Sequence, residues 1–393
     1  MEAVYGIPIS PALDQSVYRY LETDQFAFER ILTYEMSQRF STSSAGGSAN
    51  DTEADFIYIP LDTRAVARCF GSCPALVGHT QEGFDRHALR RTLVDWITAT
   101  VSSLSARRSY PSFILALALI RHDYEGNILN QKAMGVIKDD VVVLGIEQAT
   151  WETTERLHHF RQVPYPSWFH VESHSTSIGE WQLSRKRETL SVVPISLIAW
   201  LTLLDRLVFA GKSTPSQPKG GKGPHNGYAL RQALVDELSA ERADDVVLKI
   251  MERGTKREEI VALHRALAKS IFAITPPGDS PTRKGFFDAL LLGSIPVIFR
   301  EGTYSNVFPE LRLEDLAIFI PESEMIEGVG ETLVERLRAV TREEIRKKQV
   351  GIAEVATMMQ YSLPRDDGVL EASLLDATAV ILRGLRSLRD SSL

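Results

Sequence analysis

The stretch IFAITPPGDSPTRKGFFDALLLGSIPVIF, residues 271–299, decides the fold. Its opening belongs to Lys269–Thr275, whose apolar run has the length of a buried strand. Pro276, Pro277, Gly278 and Asp279 then force a turn. Ser280 suits an N-cap, and Pro281 stands where proline suits the first helical turn. Phe286, Phe287, Leu290 and Leu291 recur at helical spacing as a buried stripe, and Gly293 ends the helix. Ile295–Phe299 resumes as a strand. The result is a strand–helix–strand unit. Its loop lies at the carboxyl end of a strand, where open α/β sheets bind ligands.

A helix start exposes N–H groups and about half a positive charge. Arg283 adds a full charge in the first turn, where a cation is normally disfavoured. An anionic ligand removes that conflict, and a diphosphate is the natural candidate, with Gly278, Asp279, Ser280, Thr282 and Arg283 around it. Asp288 is expected two turns below Ser280, on the face shared with Lys284, about 10 Å along the axis. That distance spans a diphosphate to the ribose hydroxyls. A well-capped structural helix with a solvated polar face accounts for the same residues and stays open at this point.

Outward from this unit the pattern repeats. Leu21–Phe40 places Phe28, Ile31, Leu32 and Glu35 at helical spacing. Residues 54–60 read as a strand ending at Pro60, and His87–Leu104 as a helix. Phe113–Ile120 and Asp140–Ile146 are strands, the first followed at once by His122 and Asp123. Pro164 and Pro166 mark a crossing between domains. Arg206–Ala210 reads as a short strand, 211–227 as a loop rich in Gly, Pro and Lys, and Tyr228–Leu238 as a helix. Leu316–Ile320 is a last strand, and Glu331–Met358 and Glu371–Leu388 are helical. Strands alternating with helices make parallel sheets. The class is therefore α/β, with two doubly wound domains facing a cleft. We expect an N-terminal domain over 1–185, a C-terminal domain over 186–360, and a final helix in 361–393 packing back on the first domain.

With 393 residues, two domains agree with roughly 100–200 residues per domain. The net charge of −7 gives no global attraction to nucleic acid. Cys69 and Cys73, the only two cysteines, are too few for a disulfide framework or a four-ligand zinc site. The start, Met1–Gly6, lacks a basic then apolar leader. The longest apolar run, Leu190–Leu204, is interrupted by Pro194 and falls short of the ~20 residues that span a bilayer. We read it as a buried helix or strand pair. One sequon, Asn50-Asp51-Thr52, matters only in a secretory compartment.

The stretch 271–299 resembles the hallmark of the exostosin family, roughly FCLxPPGDSPT(S/R)RxFDALxxGCIPV. Fainter similarities run from about Asp14 to Val340, including Thr52–Pro60 and His122-Asp123. The resemblance implies a GT-B architecture of two Rossmann-like domains. It implies an inverting glycosyltransferase that moves a sugar from a UDP-sugar to a glycan or glycoprotein hydroxyl. The C-terminal domain would bind the nucleotide and the N-terminal domain the acceptor, with no bound metal or other cofactor. It further implies a Golgi setting and leaves open a homo- or hetero-oligomer with another transferase. The two hallmark cysteines are replaced together, by Ala273 and Ser294. Arg107–Tyr110 stands where the family has Gly-Arg-Asp-His, and Leu190–Leu204 reads as extra. The altered acceptor side raises an alternative, a non-catalytic scaffold that partners an active homologue.

Other signals compete. Gly211-Lys212-Ser213 after a short strand is similar to a P-loop, but Arg206 stands where glycine is needed and Pro215 and Pro218 oppose the following helix. Gly211 and Lys212 remain candidates for phosphate contact. His170, Glu172 and His174 alternate as strand neighbours able to hold a metal, with exposed histidines as the plainer reading. His122 and Asp123 suit general-base work near neutral pH; a hydrogen-bonded structural pair explains them too, and Asp62 and Glu147 compete for the role.

Overall fold

The computed structural model describes residues 113–117, 140–146, 160–167, 177–185, 189–196, 228–240, 246–251, 257–277, 282–300, 311–328, 330–362 and 375–390, with shorter pieces within 28–36, 56–59 and 95–102 and single residues at 169, 187, 304 and 307. The chain divides into two compact units. One is built chiefly from residues 12–166 and 361–393, the other from 167–305 and 310–360.

The first unit carries a four-stranded sheet in the order β1 (Ile57–Ile59), β2 (Phe113–Leu117), β3 (Val141–Gly145) and β4 (Phe160–Gln162). All three pairings are parallel, with Ile57 opposite Phe113, Phe113 opposite Val141 and Val143 opposite Phe160. β3, with the sequence VVVLG, is buried along its whole length. Continuous β-branched apolar residues are what a strand covered on both faces requires. Phe28, Ile31 and Leu32 are buried at helical positions, as their spacing predicts. The chain's last described helix, Ala377–Asp390, belongs to this unit and buries Val380, Ile381, Leu385 and Leu388.

The second unit begins with helix α1 (Ile178–Ser184), closed at its start by a reciprocal capping box between Ser177 and Glu180. Strand β5 (Thr189–Ser196) follows, then α2 (Tyr228–Ala240), β6 (Val246–Met251), α3 (Arg257–Lys269), β7 (Ser270–Ile274), α4 (Lys284–Leu292) and β8 (Ile295–Ile298). Helix α5 (Leu313–Leu316) leads into β9 (Ile318–Phe319), and α6 (Glu322–Glu327), α7 (Leu333–Ala339) and α8 (Arg342–Val355) complete the unit with a 3-10 turn at Ala356–Met359. The sheet order is β6-β5-β7-β8-β9, and every pairing is parallel. Counted within the unit this is 2-1-3-4-5, a doubly wound order. Both Rossmann-like sheets that a GT-B architecture requires are therefore present.

Two expectations change. The apolar run Leu190–Leu204 is not an addition: its first part is β5, the strand that opens the second sheet and sits inside it between β6 and β7. Pro194 pairs with Lys249 of β6 and lies beyond the described pairing with β7, which reaches Val192. A proline there removes no bond on the β7 side of that ladder. Residues 206–210, expected as a short strand, lie outside the described residues. Likewise, strand 316–320 shrinks to Ile318–Phe319, because Leu313–Leu316 is helical. The ammonium of Lys348, on α8, donates to the Glu314 and Ala317 carbonyls at 2.8 and 2.9 Å and satisfies that short helix from outside. Among the described residues no helix is long and apolar enough to cross a membrane.

Candidate functional site

The order of the second sheet reverses between β5 and β7. The loops leaving the carboxyl ends of those two strands therefore flank a topological switch point, where doubly wound sheets bind ligands. The loop after β7 is the proline-rich turn ending at α4. The loop after β5 leads to α2. The guanidinium of Arg231, in the first turn of α2, donates to the Pro277 carbonyl, so the start of α2 meets the turn that follows β7.

Helix α4 begins later than Ser280 predicts. Arg283 is its N-cap, in extended conformation, and no side chain caps the first turn. Instead the Arg283 N–H donates to the Tyr304 hydroxyl at 3.0 Å. Tyr304 stacks on Phe286 with ring centroids 3.7 Å apart and meets Phe287 edge-on at 5.8 Å. It holds a left-handed φ of 68°, alone among the described non-glycine residues. A bulky side chain adopts that region only when its surroundings over-determine it. Thr282 is buried, Arg283 is half-buried, and no acidic residue occupies the first turn of α4. Two cations in sequence, Arg283 and Lys284, thus stand at the positive end of a helix.

Asp288 differs from its expected setting. It faces inward, 5% exposed, instead of lying on a solvated face toward a ribose. Its carboxylate accepts from Lys284 Nζ at 2.7 and 2.6 Å and from the Ser167 hydroxyl at 2.6 Å. The ring of buried His264, on α3, lies 3.8 Å away through Nε2. Burial opposes ionisation, yet Lys284 and His264 together hold this carboxyl well below the usual carboxylate range.

The far end of α4 is fixed just as firmly. Gln182 Nε2 donates to the Leu290 and Leu291 carbonyls at 2.8 and 2.9 Å, and Arg187 donates to the Leu292 carbonyl at 2.9 Å and to that of Ala268. Gly293 closes the helix at φ 74°. Both cysteine replacements are buried, Ala273 inside β7 and Ser294 with its hydroxyl on the Leu267 and Ser270 carbonyls. The serine meets its own hydrogen-bonding needs locally.

Sequence reasoning singled out Thr282, Arg283 and Asp288 and missed Tyr304, the partner of Arg283, and Ser167 and His264, the partners of Asp288, as well as Arg231, which holds the Pro277 carbonyl. Ser167 reaches Asp288 across 121 residues of sequence, and no local pattern announces such a contact. Gly278, Asp279, Ser280, Gly211, Lys212, His122 and Asp123 lie outside the described residues, as do Asp62, Glu147, Cys69, Cys73, His170, Glu172 and His174. Among the described residues no three His, Cys, Asp or Glu side chains gather to hold a metal ion.

Xyloglucan-specific galacturonosyltransferase 1 of Arabidopsis thaliana is 26% identical over 264 residues, covering 64% of this chain and 32% of its own length. Probable xyloglucan galactosyltransferase GT13 of Arabidopsis thaliana is 28% identical over 228 residues, covering 55% and 42%. The chain thus spans only a third to under a half of the length of these two curated relatives. The solved sucrose-phosphate synthase of Thermosynechococcus elongatus aligns with 87% of this chain and 96% of its own at 12% identity, with a TM-score of 0.34. The exostosin GT47 domain model matches residues 132–337, which hold β3 to α6, the first part of α7, the whole proline-rich loop and α4, and by that match the chain belongs to the exostosin family.

Proposed function

We propose that the chain is an inverting glycosyltransferase that uses a UDP-sugar and glycosylates a hydroxyl of a glycan. The observation that carries this reading is the uncapped, doubly cationic start of α4, beside the switch point and inside the family-matched segment. The diphosphate would sit against the Arg283–Lys284 end of the helix, where N–H groups and side-chain charge act together. Relatives named for transferring sugars to xyloglucan support a polysaccharide acceptor. In the reaction the acceptor O–H gives its proton to a base, for which His122 and Asp123 are the candidates. The oxygen attacks C1 as the C1–O bond to the diphosphate breaks, through an oxocarbenium-like state. UDP leaves with the bonding electron pair, and the cations at α4 stabilise its developing charge. A Golgi setting belongs to the same proposal.

The test is a thermal-unfolding titration of the full chain with UDP, GDP, ATP and several UDP-sugars, with and without EDTA. Ligand at 100 times its Kd raises stability by about 2.7 kcal/mol. We expect a UDP-selective rise, insensitive to EDTA and lost in R283A. In turnover R283A should cost about 3 kcal/mol of barrier, like a lost oxyanion donor. Wild-type turnover by R283A would sink the role given to that residue.

A further inference from the structure

The buried cluster under α4 contains more than helix stability needs. A lysine at the first helical position opposes the helix dipole, and Lys then Asp at i and i+4 is the weaker order of an ion pair. Even so, Asp288 is buried beneath Lys284 and grips its ammonium through both oxygens, at 2.7 and 2.6 Å. Ser167 donates to Oδ1 at 2.6 Å, and His264 Nε2 flanks Oδ2 at 3.8 Å. The Ser167 oxygen in turn accepts the Phe169 N–H at 3.2 Å, which fixes the serine. Each partner comes from a different place: Lys284 from α4 itself, His264 from α3, Ser167 from the segment entering the second unit.

We infer that Asp288 is a positioning residue, acting through Lys284 on the donor diphosphate and not touching the nucleotide itself. The inference rests on the nucleotide site proposed above. A free lysine side chain carries several rotatable bonds, and freezing them costs entropy at each binding event. The carboxylate clamp removes that cost beforehand. The Lys284 side chain keeps 25% of its surface exposed, so it remains reachable, whereas that of Asp288 keeps 7%.

A calorimetric titration of the full chain with UDP, 2′-deoxy-UDP and 3′-deoxy-UDP tests this. D288N and K284M should each weaken UDP by about tenfold, the scale of one charge-assisted hydrogen bond. The double variant should be no weaker than K284M. The preference of UDP over its deoxy forms should be the same in D288N as in wild type. If D288N erases that preference and K284M keeps it, Asp288 binds the ribose and the inference falls while the nucleotide site stands. Unchanged UDP affinity in D288N, with only a lower melting temperature, also overturns it and leaves the cluster structural. Should D288N not fold, S167A carries the test: it must weaken UDP in the wild-type background and have no effect beside K284M. A folded wild-type chain that binds no UDP removes the nucleotide reading, and the inference with it.

Discussion

Gly293 is the residue on which the geometry of α4 turns. Its φ of 74° is left-handed, and a Cβ there would lie 3.0 Å from Gln182 Cγ and collide with the Arg187 guanidinium. Those two side chains satisfy the last carbonyls of the helix. G293A therefore combines backbone strain of about 1–2 kcal/mol with displaced cap donors. We expect a loss of about 2–3 kcal/mol in denaturant unfolding. A loss below about 0.5 kcal/mol, the level of a neutral surface change, would show that Arg187 and Gln182 give way freely. Burial lowers the Arg187 pKa to about 10, with nearby Arg185 adding to the effect, so the guanidinium stays charged at neutral pH and keeps donating. The loop and helix over Pro276–Gly293 announced this turn in the sequence, since Gly after an apolar helical stripe has few other uses.

At the scale of elements, the segment after the 3-10 turn returns the chain to the first unit. Tyr361 anchors that return. It is fully buried, its hydroxyl donates to the Pro164 carbonyl at 2.9 Å, and its ring lies 6.1 Å from that of Phe28. Burial first, then the nearby Glu35 and Asp376, push its pKa well above the ordinary value. A phenol whose folded pKa is raised contributes stability below its unfolded pKa of about 10. That contribution is lost as pH climbs above 10, because the unfolded chain ionises first. Y361F should cost about 1 kcal/mol at neutral pH, the value of one buried hydrogen bond. Its unfolding midpoint should also fall less steeply than wild type between about pH 9.5 and 11. Parallel alkaline limbs in thermal melts would contradict this account. Elements that the periodicity did not reveal share a cause. Short β4 and α1 span three and seven residues, too few to set a period. β6 and α3 adjoin polar, charged sequence.

For the whole molecule, the two units are interleaved in sequence: residues 361–393 belong with 12–166, after the second unit has been completed. The helix Ala377–Asp390 begins with Asp376, whose carboxylate accepts the Ala379 N–H at 2.8 Å. It buries Val380, Ile381, Leu385 and Leu388. At about 1.5–3 kcal/mol per buried aliphatic side chain, this set contributes roughly 6–12 kcal/mol. That rivals the roughly 5–15 kcal/mol of a whole domain's stability. A chain truncated after residue 360 should therefore lose the fold of its first unit, seen as aggregation or as a missing unfolding transition. A truncated chain with the full wild-type melt would refute the dependence.

By itself the sequence determined the α/β class, the strand–loop–helix unit at 271–299, its buried stripe and its glycine stop, because each follows from neighbours within one or two turns. It also carried enough of the family pattern to name the family. Only the tertiary structure decided which way Asp288 faces, that the first part of Leu190–Leu204 supplies an interior strand, that Tyr304 and Ser167 converge on α4, and that Arg231 holds the turn before it. The physical reason is that these outcomes depend on contacts between segments far apart in the chain. Ser167 and Asp288 are separated by 121 positions, and Arg231 and Pro277 by 46. Burial and charge pairing are settled only when such segments meet.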